Sequence, residues 1–165
     1  MISVDGPDIP EWLNEGIASM AESGSLRTPR DNWRLIYVQT DRELQRAYLT
    51  LTEVISGSSV PPRHPLVLSS YYRYFLMYLN EKGVLGQVYT RFRNLSMAEE
   101  PNAPPEDLPV ANQLQAIAEI LGRENPDVVQ RDFWRWLSAK GMGRNNSYNS
   151  SSYKQLVYNS LTNSR

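Results

Sequence analysis

The chain has 165 residues, 41% of them hydrophobic, which is enough for one domain with a sizeable core and leaves no need for a second. Lysine and arginine number 17 against 18 acidic residues, so no global field directs the chain to nucleic acid or to an anionic membrane. Cysteine is absent, which excludes a disulfide framework and a thiolate zinc site; histidine occurs once, at His64, and no serine, cysteine and histidine constellation for nucleophilic catalysis is recognisable.

Residues 1–10 lack a basic region followed by an apolar run, so no export signal is expected, and no stretch reaches the length of a membrane span. Asp8 is placed to cap a helix and Pro10 suits its first turn. Trp12, Leu13, Gly16, Ile17 and Met20 then recur on one helical face, with Glu15, Ser19 and Glu22 together on another. From periodicity alone Glu15 and Glu22 are charges on a solvated helix face.

The segment Trp12-Leu13-Asn14-Glu15-Gly16-Ile17-Ala18 closely resembles the gluzincin metallopeptidases. In the aminopeptidase N relatives and the peptidase-MA-like family, a segment of the form W-L-N-E-G-apolar-A follows the zinc-binding helix and its glutamate is the third protein ligand of zinc. The resemblance makes Glu15 the candidate metal ligand, zinc the implied cofactor and a peptide or protein the implied substrate. It also implies that Gly16 lets two helices approach closely. Such a site needs two imidazoles and a general base from an H-E-x-x-H helix, plus one open position for water. This sequence contains no H-E-x-x-H, and fewer residues precede Glu15 than separate the corresponding elements in the family. The expectation is the C-terminal half of such a domain, or a variant without that helix, inactive as this chain alone.

Residues 22–31 read as a loop, and residues 33–39 as a short strand or extended connection, with Trp33, Ile36, Tyr37 and Val38 as β-formers. Thr40 followed by Glu43 has the spacing of a capping box and predicts a helix to Ser56-Gly57, its face traced by Leu44, Ala47, Tyr48, Leu51, Val54 and Ile55. Residues 57–65 form a proline-rich loop containing His64, which has no companion ligand at metal-binding spacing and reads as a surface residue.

Residues 66–82 predict an aromatic helix ended by Gly83, and residues 84–97 a second helix after it. The run Ser69-Ser70-Tyr71-Tyr72-Arg73-Tyr74-Phe75-Leu76-Met77-Tyr78-Leu79 before that glycine also resembles the peptidase-MA-like family. In many gluzincins a downstream tyrosine or histidine donates to the oxyanion of the tetrahedral intermediate, a task that suits a phenol. By that resemblance Tyr71 and Tyr72 are the candidate catalytic residues; read from spacing, they pack in the core with their hydroxyls at its rim.

Residues 99–109 read as an acidic, proline-rich exposed loop, and residues 111–121 as a helix before Gly122. Asn125 and Pro126 open a last helix through Phe133 and Leu137, in which Trp134 and Trp136 cannot share one core face, so one is expected at the surface or at an interface. Ile120-Leu121-Gly122 and Phe133-Trp134-Arg135-Trp136-Leu137 resemble the end of a peptidase-MA-like domain. The expected organisation is a mainly α helical bundle over residues 1–140 and a flexible Asn/Ser-rich tail over 141–165, in which Leu156, Val157 and Leu161 leave room for a short docked helix. Two functions stand against each other: a partial zinc-metallopeptidase-like domain, and a non-catalytic helical module that binds a protein or peptide.

Overall fold

The computed structural model describes residues 9–22, 34–98, 109–141 and 151–163. Their regular structure is entirely helical, in the order α1 (Glu11–Glu22), α2 (Arg34–Gln45), α3 (Leu51–Ser56), α4 (Pro65–Glu81), α5 (Leu85–Ala98), α6 (Val110–Ile120), α7 (Pro126–Gly141) and α8 (Ser151–Thr162). The chain is thus a mainly α helical bundle. No helix among the described residues is long and apolar enough to cross a membrane. Asp8, Trp33, residues 23–33 and residues 99–108 lie outside the described residues, and so do the expectations that fell on them.

The bundle is built round α4. Residues 71–79 are buried without a break, the pattern of a helix covered on every side, and α1, α2, α3, α5 and α7 all touch it. Its start is set by His64, whose Nδ1 accepts from the Leu66 N–H at 3.1 Å, with Pro65 in the first helical position. Its end is set by Gly83 at φ +75°, where the Val84 N–H returns to the Leu79 carbonyl at 3.0 Å. At its centre Phe75 meets Trp12 of α1 at 5.6 Å between centroids, Phe133 of α7 at 5.1 Å, and Tyr78 at 6.2 Å. Three helices therefore share one aromatic junction.

Between α1 and α4 the sequence departs from a simple core helix. Arg73 is 1% exposed and its guanidinium donates to the Ser19 carbonyl of α1 and to the Tyr74 hydroxyl, which also bonds the backbone of Leu35 on α2. Ser19, expected beside the carboxylates, is accordingly buried, while Ile17, expected in the core, is 37% exposed. The buried arc of α1 runs through Trp12, Leu13, Gly16, Ser19 and Met20, and at Gly16 the packing on α4 leaves no room for a Cβ.

The expected strand at 33–39 and the expected helix starting at Thr40 are both corrected. Residues 34–45 are one helix, in which Leu35, Ile36, Tyr37 and Val38 are all buried. Burial on several sides overrides the weak β preference of Ile, Tyr and Val. Thr40 lies in mid-helix, and Arg46, at φ 60°, ends α2 in the left-handed region. The capping box is Thr50 with Glu53: the Thr50 hydroxyl accepts from the Glu53 N–H at 3.2 Å and the Glu53 carboxylate from the Thr50 N–H at 2.9 Å. Thr40 and Glu43 have the same spacing, and only Thr50 and Glu53 follow a break in the helix. Thr50→Ala is expected to lower the unfolding free energy by about 1 kcal/mol, read as a shift in urea midpoint at unchanged slope.

The link between α2 and α3 has no ladder of its own, so side chains satisfy it. The Leu49 N–H donates to the Tyr71 hydroxyl at 3.2 Å, the Leu49 carbonyl accepts from Trp134 Nε1 at 3.0 Å, and the Leu51 N–H donates to Gln130 at 2.9 Å. This settles the tryptophan pair differently from expectation. Trp134 is half-buried against the link, and Trp136 is buried against α4 with its indole N–H on Glu81 at 3.0 Å. α7 is wedged between two elements, so neither ring is left on the surface.

Over residues 151–162 the expected flexible tail gives way to α8, which lies on α2 with Val157 fully buried. Residues 142–150 lie outside the described residues.

Candidate functional site

Glu15 stands on the solvent side of α1, one turn after Glu11, and both are exposed. What positions them is the opposite face. A Cβ built on Gly16 would stand 2.7 Å from Leu76 Cδ1 and 3.0 Å from the Tyr72 carbonyl oxygen, so only glycine permits this approach of α1 to α4. Trp12, 1% exposed, is locked by its indole N–H on Gln113 of α6 at 2.8 Å and by Phe92 of α5 at 5.8 Å in an edge contact. Glu15 is thus an exposed carboxylate on a rigidly seated helix.

The two candidate tyrosines occupy different settings. Tyr71 is fully enclosed, its hydroxyl accepts from the Leu49 N–H, and burial pushes its phenol far above the ordinary range. Its place is structural: it closes the backbone of the α2–α3 link. Tyr72 lies toward α1 and the end of α3. Burial first, then the charges of Glu11 and Glu15, push its phenol up to about 12. It stays a neutral donor throughout the physiological range. Its hydroxyl rests against Gly57, 3.0 Å from where a Cβ on that residue would be. The structure therefore places the Tyr72 hydroxyl at Gly57, within the field of Glu11 and Glu15, and assigns Tyr71 to the link.

His64 is the cap of α4, with its ring 6.4 Å from that of Tyr37. Among the described residues no three of His, Cys, Asp and Glu gather as a metal-binding group. A catalytic zinc needs three protein ligands; here Glu15 can offer one, and the described residues do not by themselves fit the ion.

Sequence reasoning passed over two buried polar groups. Arg73 was visible as the lone charge inside an aromatic run, a signal that a core helix carries an internal hydrogen-bonding duty. Asp41 on α2, 4% exposed and 3.4 Å from Arg63 Nε, gave no such signal, because it sits among the exposed charges Arg42 and Glu43. Compared with protein-family models, with curated proteins and with solved structures, the chain finds no match.

Proposed function

We propose that this chain is the helical part of a gluzincin-type zinc metallopeptidase domain, in which Glu15 serves as the third protein ligand of zinc for peptide-bond hydrolysis. The observation that carries the reading is the pairing of an exposed Glu15 with Gly16, where α1 packs on α4 too tightly for any side chain. It gives a metal ligand a rigid seat, and its W-L-N-E-G-I-A context is that of the family's ligand segment. Tyr72, a neutral phenol within the field of Glu11 and Glu15, is the supporting donor. The sequence holds no H-E-x-x-H and its one histidine, His64, caps α4, so on this reading the imidazoles and the general base come from a separate segment and the chain alone is inactive.

The test joins an H-E-x-x-H helix upstream of the chain. The joined protein is expected to bind one zinc and hydrolyse peptides. Glu15→Gln should weaken zinc binding by more than about a hundredfold, since even loss of an outer-shell partner costs a site 10- to 100-fold, while circular dichroism stays unchanged. Equal zinc affinity with and without Glu15 would overturn the ligand assignment.

The second reading, a non-catalytic binding module, cannot use the aromatic face of α4, which is interior. It draws instead on α8, where Leu156 is 62% and Tyr158 45% exposed beside the docked Val157.

A further inference from the structure

α8 is seated on α2 by the fully buried Val157, yet the two helices do not close on each other along their length. Between them runs an open groove of about 290 Å³. Its α2 wall is one stripe at three- and four-residue steps, Ile36, Gln39, Thr40 and Glu43. Its α8 wall is Lys154, Gln155 and Tyr158. The α2 stripe grades from the buried Ile36 and Thr40 through the half-buried Gln39 to the exposed Glu43, so the groove has an apolar depth and polar edges.

Glu43 is the one anion of the groove and Lys154 its one cation, on opposite walls. Both are exposed, and among the described residues neither side chain makes an ion pair or a hydrogen bond. Arg42, the cation next to Glu43 in the chain, lies over the Tyr48 ring at 5.0 Å instead. Each charge also stands at the unfavourable end of its helix. Glu43 is in the last turn of α2, where open carbonyls carry negative charge, and Lys154 closes the first turn of α8, where open N–H groups carry positive charge. Neither helix gains from the charge it carries there, and a bound group of opposite sign at each would offset both costs.

We propose that the groove between α2 and α8 binds a small zwitterion with an apolar or aromatic body, of the class of a free amino acid. Its ammonium is held by Glu43, its carboxylate by Lys154, and its side chain lies between Ile36 and the Tyr158 ring. Both charged side chains are long, which lets them converge on an ammonium and a carboxylate carried by one carbon. Gln39, Thr40 and Gln155 add neutral donors and acceptors at the edges. The Gln155 amide already donates to Asn159 Oδ1 at 2.9 Å, so less ordering is left for binding to impose. The volume of about 290 Å³ stands at the small end of ligand sites, which run from roughly 300 to 1,000 Å³, and favours an amino acid over a longer peptide. No lining residue belongs to α1, so the site is separate from the Glu15 face and does not rest on the peptidase reading.

The test is an NMR titration of the intact chain with three probes: phenylalanine, N-acetylphenylalanine, which lacks the ammonium, and phenylalaninamide, which lacks the carboxylate. Phenylalanine is expected to give saturable shifts of the Gln39 and Gln155 side-chain amides and of the Tyr158 N–H. Each of the other two should bind about tenfold more weakly, having lost a hydrogen bond between charged groups. The variants then exchange these preferences in a fixed pattern. In Glu43→Gln, phenylalanine and N-acetylphenylalanine should bind alike, while phenylalaninamide stays weaker; in Lys154→Gln, phenylalanine and phenylalaninamide should bind alike. Both residues are exposed, so each variant should keep the circular dichroism of the parent. Three probes of equal affinity for the wild-type chain, or no saturable shift at these groups up to the solubility of phenylalanine, would overturn the site without any variant being made.

Discussion

Phe75→Ala should lower the unfolding free energy by about 3–5 kcal/mol, the usual cost of removing a buried aromatic ring and leaving its cavity. In a chain of this length that corresponds to a fall in Tm of roughly 6–20 °C. The physical reason is the junction it makes. Its ring is 0% exposed and is the common neighbour of Trp12 on α1 and Phe133 on α7. Loss of the ring removes apolar burial and two ring contacts at once, and the cavity cannot collapse without moving three helices. Phe75→Leu, which refills part of the space, should cost clearly less. Urea unfolding followed by circular dichroism gives the energies, and tryptophan emission reports on the four tryptophans together, Trp12 among them. A loss below about 1 kcal/mol would show that the junction does not hold these helices together.

Gly16→Val should destabilise by about 1–3 kcal/mol, the cost of overpacking a close-packed interface. A first added carbon already stands 2.7 Å from Leu76 Cδ1 and 3.0 Å from the Tyr72 backbone oxygen. The leucine tip can shift by a few tenths of an ångström; the helix backbone behind it cannot without separating α1 from α4. The control has the opposite sign. Gly86, on α5, would place a Cβ with nothing within 4 Å, so Gly86→Ala should stabilise by about 0.5–1 kcal/mol through helix propensity and the lost freedom of the unfolded chain. If the two variants moved Tm in the same direction, the close approach of α1 to α4 would be wrong. Since Glu15 is held in place by that approach, a separated α1 would also misplace the candidate ligand.

The sequence by itself determined the helical class and most helix limits. Gly83, Gly122, Asn125-Pro126 and the apolar spacings of α4 to α7 act through local backbone preference, which needs no partner to be read. It also singled out Glu15 as a candidate and Gly16 as a point of close approach, because the resemblance that names them rests on contiguous residues. Only the tertiary structure decided what depends on distant neighbours. Which of two identical capping signatures caps a helix turned on the break at Arg46 and on the side chains of Tyr71, Gln130 and Trp134 that satisfy the open backbone after it. That 34–39 is helical followed from burial on several sides, which outweighs a β preference worth only a fraction of a kcal/mol per residue. The roles of Tyr71 and Tyr72 separated for the same reason: adjacent on one helix, their hydroxyls meet different neighbours, one the Leu49 N–H of the link and one Gly57 at the end of α3. The Asp41–Arg63 pair was invisible in sequence because burial, which makes its charges consequential, is a property of the packed helices and not of either residue.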